Sequence, residues 1–219
     1  MNPLRRLRMK LADRKEQRDR NRAKYRRTGR GGREARKHRK AVVKLRALIS
    51  RIKGQPRVTS PNGVVFVKTF EGFSGIPVNI GDGVLTYGYG HTEPLGSNVP
   101  AKITEPAAAK LLAKDLKLYY EPAVKRLFEK GGPLHGKFAP WRFDALVSVA
   151  YNLGTGALLP YPHPNFETLG KALQDGDLKA IAKALPLYKS PGTRFEEGLL
   201  RRRRVEARLL LTGNYSTEI

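Results

Sequence analysis

Positive charge is concentrated in the first quarter of this 219-residue chain, and this limits where a hydrophobic core can form. Residues 1–57 hold 23 Lys and Arg and only four Asp and Glu, a net charge of +19, whereas residues 58–219 carry a net charge of +5. Residues 1–40 also contain few large apolar side chains, so burial there cannot offset the entropy lost on ordering. We therefore expect a basic arm that is disordered or becomes helical on a ligand, followed by one folded domain.

The basic arm, residues 1–57, predicts a polyanionic partner, because clustered Lys and Arg attract phosphate groups. The candidates are an anionic membrane, lipopolysaccharide or teichoic acid, with nucleic acid as the alternative. Within the arm, Val42, Leu45 and Ile49 recur at helical spacing. This pattern predicts an amphipathic helix over about residues 33–52. The chain has no cysteine, which excludes disulfides and thiolate metal sites.

The remaining sequence predicts a single α+β domain. Residues 58–63 are interpreted as a linker, residues 64–213 as the domain and residues 214–219 as a tail. The segment VVFVKTFEGF predicts a short helix, and IPVNIGDGVLTYGYGHTEP, rich in glycine and β-branched residues, predicts a small hairpin sheet. Helical periodicity then predicts several helices, including Trp141–Leu153 and Glu196–Leu211. A small sheet followed by helices is an α+β arrangement.

Five sequence blocks within residues 64–213 occur in a recognisable order: FEGF, TYGYGHTE, ITEPAAAKLLAKDL, FDALVSVAYNLGTGAL and GLLRRRRVEARLLL. Together they resemble the phage lysozyme family, glycoside hydrolase family 24. The resemblance implies a lysozyme-like fold, with a small β-sheet subdomain and a mainly helical lobe. It also implies an endolysin that hydrolyses the β-1,4 bonds between N-acetylmuramic acid and N-acetylglucosamine in peptidoglycan. Such an enzyme would be a monomer and would need no metal or other cofactor.

The family's catalytic pattern is Glu, eight residues, Asp or sometimes Cys, five residues, Thr. Glu71 and Thr86 keep the overall spacing, but Ile80 occupies the middle position and the nearest carboxylate is Asp82. The resemblance implies that Glu71 is the general acid of an inverting reaction. Asp82 would then orient or activate water, helped by the flexible glycines on either side of it, and the Thr86 hydroxyl would hold that water.

Two further residues, Asn152 and Arg201, are candidates for the site. Asn152 either lines the sugar cleft or is an amide at a helix terminus. By resemblance, an arginine from the run RRRR approaches the catalytic glutamate, and we assign this contact to Arg201. His91 lacks a partner at metal-ligand spacing, so we expect it to make a structural hydrogen bond.

Two alternative functions remain open on the sequence. A lytic transglycosylase needs only one glutamate, and the absence of a carboxylate at Ile80 favours this route. A virion component with an inactive lysozyme fold would use the basic arm to bind nucleic acid. The N-terminus lacks the apolar stretch of a signal peptide. We therefore expect synthesis in the host cytoplasm and action at the bacterial cell wall or periplasm after release.

Overall fold

The computed structural model describes residues 3–28, 37–38, 40–45, 57–159 and 164–218. The chain forms two compact units. One contains residues 1–56 together with residues 136–139, and the other contains residues 57–135 and 140–219.

The basic arm contains one long helix, α1, which spans Pro3–Thr28. Its 26 residues include 12 Lys and Arg but only three Asp and Glu. Residues 3–28 are helical in the structure. Helical backbone also occurs at residues 37–38 and 40–45, and the rest of the helix predicted over about residues 33–52 lies outside the described residues. Within the described part of the chain, no helix is both long and apolar enough to span a membrane.

The second unit begins with helix α2, which spans Pro61–Phe70. Ser60 caps its N-terminus, because the Ser60 hydroxyl accepts a hydrogen bond from the amide of Gly63 at 3.0 Å. Pro61 follows at the first helical position, where its missing amide hydrogen costs nothing. The helix therefore begins three residues before Val64, where the apolar pattern starts.

The interpretation of residues 58–63 as a linker is wrong. The amide of Thr59 donates to the Glu121 carboxylate at 2.8 Å, and the amide of Ser60 donates to the Asp144 carboxylate at 2.9 Å. Both acceptors belong to later helices of the same unit. These residues are therefore part of the folded domain and fix the start of α2.

The three-stranded antiparallel sheet follows α2. Its strands, in spatial order, are β1 (Ser74–Val78), β2 (Val84–Gly88) and β3 (His91–Pro94). Thr86 lies at the centre of this sheet, opposite Val78 of β1 and Thr92 of β3. The small hairpin sheet predicted from the sequence is confirmed.

A helix interrupted by a wide turn follows the sheet. It consists of α3 (Glu105–Asp115), a π-helical turn (Leu116–Tyr120) and α4 (Glu121–Phe128). The wide turn immediately precedes the helix that carries Pro122 in its first turn. Since proline has no amide hydrogen to donate, the α-helical hydrogen-bond pattern cannot run through this point unchanged.

Four helices complete the domain: α5 (Pro140–Leu153), α6 (Glu167–Gln174), α7 (Leu178–Ala184) and α8 (Glu196–Thr212). Helix α5 is the centre of the core, since residues 142–150 are all buried and the helix packs against α2, α4 and α8. Gly213 ends α8 in the left-handed conformation, with φ of +80°. The α+β arrangement predicted from the sequence is confirmed.

Two glycines at equivalent helix positions give a test of this packing. Gly63 is the third residue of α2, and a Cβ added there would lie 2.5 Å from Cγ of Asp144. Gly198 is the third residue of α8, and a Cβ added there would meet nothing within 4 Å. Gly198→Ala should raise the free energy of unfolding by about 0.5–1 kcal/mol, because alanine favours the helix.

Gly63→Ala should instead lower the free energy of unfolding by about 1–3 kcal/mol, because the new methyl group overpacks the contact with Asp144. Urea unfolding of both variants checks the pair. Equal stabilisation by the two substitutions would show that α2 does not approach Asp144 closely.

Candidate active site

Glu71 stands at the C-terminal end of α2. Its backbone leaves the helical conformation, with φ of −98° and ψ of 131°, and its amide still donates to the carbonyl of Lys68 at 3.2 Å. The side chain is 21% exposed, so the carboxylate is largely enclosed but can be reached from solvent. The position of this carboxylate therefore depends directly on the position of α2.

Arg202 of α8 holds the Glu71 carboxylate. Its Nη1 donates to Oε1 of Glu71 at 2.6 Å, and its side chain is only 4% exposed. The guanidinium also lies over the ring of Phe70, 5.2 Å from the ring centre, which adds a cation–π contact. A nearly buried charge-assisted hydrogen bond thus joins α2 to α8.

The assignment of this contact to Arg201 is wrong by one residue. Arg201 is exposed, and its Nη2 donates to the backbone carbonyl of Thr217 at 3.0 Å. Successive residues of an α-helix point about 100° apart, so only one of two neighbouring arginines can face Glu71. Four consecutive arginines give no indication of which one faces inward.

Behind Arg202 lies a buried group of charges. Oε1 of Glu206, a residue with no exposed side-chain surface, accepts from Nε of Arg202 at 3.1 Å and from Nη2 of Arg203 at 3.0 Å. The Ser148 hydroxyl donates to the same oxygen at 2.6 Å. With Glu71, the group contains two arginines and two glutamates, so the formal charges balance. Glu206 was not predicted from the sequence, although it lies four residues after Arg202 on the same helix face.

Asn152 belongs to this group. It is half-buried at the end of α5, and its Oδ1 accepts from Nη2 of Arg203 at 2.9 Å. Burial lowers the pKa of Arg203, and the charge of Glu206 opposes that effect. Asn152 therefore orients a buried arginine behind the Glu71 contact.

The other two residues of the expected catalytic pattern lie in the sheet. Thr86 is half-buried at the centre of β2. Asp82 is exposed in the turn before β2, where its Oδ1 accepts from the amide of Val84 at 3.3 Å. Ile80, at the expected Asp position, is 77% exposed. The contacts of Asp82 are thus made within its own turn, whereas Glu71 is held by α8.

A polar pocket of about 250 Å³ lies beside the sheet. Its lining includes three tyrosines, and the full set is Gly90, His91, Thr92, Glu93, Asp115, Tyr119, Tyr120 and Tyr151. Burial raises the pKa of Tyr120, and the charges of Asp115 and Glu71 raise it further. Burial also raises the pKa of Tyr151, and the charge of Glu71 adds to this rise. The electrostatic influence of Glu71 therefore extends to two walls of the pocket.

His91 has a structural role at the edge of this pocket. Its Nδ1 lies 2.7 Å from Oδ2 of Asp115 and its Nε2 lies 3.1 Å from Oε1 of Glu93. Burial raises the pKa of Asp115, and the hydrogen bond from His91 acts in the opposite direction. The imidazole thus ties the end of α3 to β3, in agreement with the structural hydrogen bond expected for it.

Comparison with known proteins identifies the family. Residues 68–206 match the family described as phage lysozyme. The chain is 33% identical over 161 residues to the endolysin of Bacillus phage B103, covering 70% of this chain and 54% of that endolysin. It is 31% identical over 156 residues to the endolysin of Salmonella phage P22, covering 70% of this chain and 97% of that one. The chain thus spans about half the length of the B103 relative and nearly all of the P22 relative.

Solved structures show the same relationship. The fold is similar to that of a P22 lysozyme mutant, with a TM-score of 0.55 and 28% identity over 71% of this chain and 99% of that one. It is also similar to the muramidase domain of SpmX from Asticaccaulis excentricus, with a TM-score of 0.55 and 29% identity over 70% of this chain and 97% of that domain. The predicted lysozyme-like fold is confirmed. The chain belongs to the phage lysozyme family.

Neighbouring arginines provide a matched test of the Glu71 contact. Arg202→Gln should lower the free energy of unfolding by about 3–5 kcal/mol, because it leaves Glu71 without its cation and leaves buried Glu206 paired with Arg203 alone. Arg201→Gln should change it by no more than about 0.5 kcal/mol, because that side chain is exposed. Urea unfolding measures both values, and equal losses would contradict the assignment of the ion pair to Arg202.

Proposed function

We propose that this protein is an endolysin that hydrolyses the β-1,4 bonds between N-acetylmuramic acid and N-acetylglucosamine in peptidoglycan. The observation that carries the proposal is the placement of Glu71, a largely enclosed carboxylate held by Arg202 at 2.6 Å. Family membership and the polar pocket lined by Tyr120 and Tyr151 support it. Glycosidases of this kind need a carboxylic acid that protonates the oxygen of the leaving sugar.

The Arg202 contact determines which oxygen of Glu71 can act as the acid. An arginine is only a hydrogen-bond donor, so the oxygen facing it, Oε1, serves as an acceptor. The acidic proton therefore belongs on Oε2. In the proposed reaction, Oε2 gives this proton to the glycosidic oxygen and Arg202 stabilises the carboxylate that remains. This division of roles keeps the carboxyl group in one orientation throughout the reaction.

Water would approach from the sheet in this proposal. The Thr86 hydroxyl would hold it, and Asp82 would orient or activate it from the turn before β2. In the structure the Asp82 carboxylate accepts a hydrogen bond from the amide of Val84 at 3.3 Å. This hydrogen bond is long, so a small rotation of the side chain can break it. Gly81 and Gly83, both with positive φ, flank Asp82 and permit backbone rearrangement of the turn.

A lytic transglycosylase is the second candidate. The exposed apolar side chain of Ile80 favours the transglycosylase reaction, because isoleucine at this position cannot act as a base that activates water. In that reaction Glu71 acts alone and a hydroxyl group of the substrate attacks in place of water. Mass spectrometry of the digest separates the two reactions, since transglycosylation leaves 1,6-anhydro ends and hydrolysis leaves reducing ends.

Glu71→Gln should abolish clearing of purified peptidoglycan while the protein stays folded. An amide keeps the size of the side chain but has no acidic proton, and loss of general acid catalysis costs about 10²–10⁴-fold in rate. Glu197→Gln, an exposed substitution on α8, is the matched control and should retain wild-type activity. More than about a tenth of wild-type activity in Glu71→Gln would exclude Glu71 as the acid. A wild-type protein that cannot clear walls would favour an inactive fold that works through nucleic acid.

Asp82→Asn should lower the rate of hydrolysis by about 10²-fold or more if the Asp82 carboxylate activates water. Anomeric analysis of the wild-type products by NMR should show inverted configuration, as expected for direct attack by water. Asp175→Asn, which makes the same carboxylate-to-amide change at an exposed position after α6, is the matched control. Wild-type rates for Asp82→Asn, together with anhydro products, would exclude the water-activating role and establish the transglycosylase route.

We further propose that the basic arm, residues 1–57, binds an anionic bacterial envelope and brings the enzyme to its substrate. The support is charge: α1 alone carries 12 Lys and Arg against three Asp and Glu. Attraction of this kind weakens as salt is added, because charges are screened beyond about 8 Å at physiological ionic strength. On this account the arm affects binding to cells and leaves the chemistry at Glu71 unchanged.

Deleting residues 1–57 should weaken binding to whole cells and anionic vesicles but leave cleavage of soluble glycan fragments unchanged. A full-length variant with every Lys and Arg of α1 replaced by Gln is the matched control, because it removes charge and keeps chain length. Binding is measured at several salt concentrations, with DNA as a parallel ligand. Equal binding of cells by wild type and deletion at low salt would exclude a targeting role, and stronger binding to DNA than to vesicles would favour nucleic acid.

A further inference from the structure

Three polar side chains recur at intervals of four residues along α5, the buried central helix. They are Asp144, Ser148 and Asn152. This spacing places them on one face of the helix, because four residues make slightly more than one turn. Asp144 and Ser148 have no exposed surface. Buried polar groups require hydrogen-bond partners. The partners of all three side chains belong to the hydrogen-bonded groups at the two ends of α2, the helix that precedes Glu71.

Asp144 holds the N-terminal end of α2. Its carboxylate accepts from the amide of Ser60 at 2.9 Å and from the Ser60 hydroxyl at 2.5 Å. The close approach of Gly63 leaves no room for a larger residue on this side of α2. Burial raises the pKa of Asp144, and its hydrogen bonds with Ser60 and Tyr215 oppose the rise. The Asp144 carboxylate therefore holds the first turn of α2 in place through Ser60.

Tyr215 brings the end of the chain to the same carboxylate. Its hydroxyl donates to Oδ2 of Asp144 at 2.5 Å, and its ring packs edge-on against Phe66 of α2 at 6.2 Å. Residues 214–219, interpreted from the sequence as a tail, thus include a side chain that secures α2. Asp144 therefore accepts hydrogen bonds both from Ser60, before α2, and from Tyr215, after α8.

Ser148 and Asn152 act at the other end of α2. Ser148 donates to Glu206, Glu206 accepts from Arg202, and Arg202 donates to Glu71. Asn152 steadies Arg203, which donates to the same oxygen of Glu206. One face of α5 is therefore connected to both ends of the helix that carries Glu71.

We propose that Asp144 and Tyr215 are positioning residues for Glu71 and act through α2. This helix has 10 residues, a length of about 15 Å, and it is short enough to move as a rigid rod. Fixing its N-terminal end on Asp144 sets where Glu71 meets the substrate at its C-terminal end. The inference rests on the proposed role of Glu71 as the general acid.

Two single substitutions at the N-terminal contact of α2 test the proposal. Tyr215→Phe and Asp144→Asn should each lower kcat on soluble glycan fragments about tenfold or more with little change in KM, because displacement of a catalytic group by about 1 Å can cost on the order of a hundredfold in rate. Tyr188→Phe is the matched control. The Tyr188 hydroxyl accepts from the amide of Leu169, in α6, at 3.2 Å. Thermal unfolding confirms that each variant is folded at the assay temperature.

A loss of kcat in Tyr215→Phe and Asp144→Asn, with Tyr188→Phe within about twofold of wild type, supports positioning. Equal kcat values for Tyr215→Phe and Tyr188→Phe would overturn it, as would a rise in KM at constant kcat. If Asp144→Asn does not fold, Tyr215→Phe decides alone. The activity of Glu71→Gln is measured in parallel. If this variant stays active, both the proposed role of Glu71 as the acid and the present inference fail. If it is inactive and Tyr215→Phe keeps the wild-type kcat, only the positioning role is overturned.

Discussion

The ion pair between Glu71 and Arg202 is the interaction on which the rest of the folded domain depends. It joins residues 131 positions apart in the sequence, and Arg202 is almost completely buried. A buried charge is tolerated only when it is paired and hydrogen-bonded, so this contact requires Glu206 and Ser148 behind it. These contacts link α2, α5 and α8. The same group holds Oε1 of Glu71 on Arg202.

Much of this architecture could be predicted because it depends on local patterns. Glycine and β-branched residues marked the sheet, and helical periodicity marked α5 and α8. The start of α2 was missed because the apolar residues begin at Val64, although Ser60 followed by Pro61 is an N-terminal signal in its own right. The spacing between Glu71 and Thr86 could be read directly, whereas the identity of the water-activating group could not, since Ile80 breaks the pattern.

The contacts around Glu71 were harder to predict because they depend on the direction of side chains in three dimensions. Four consecutive arginines differ only by rotation about the axis of α8, and the packing of that helix selects Arg202 for Glu71 and Arg203 for Asn152. Asp144 within FDALVSVAYNLG gave no sign of its partners, because Ser60 and Tyr215 lie 84 and 71 residues away in the sequence. The separation of charge between arm and domain was, in contrast, fully visible in the composition.

The central claim is that contacts at the two ends of α2 together hold Glu71 in its working position. The most direct test is a double-mutant cycle on kcat with Tyr215→Phe at the N-terminal contact and Arg202→Lys at the C-terminal contact. Residues that position the same group are not independent, so the account predicts that the double variant loses less than the product of the two single effects. Losses in kcat that multiply would show that the two contacts act separately, and would contradict the account.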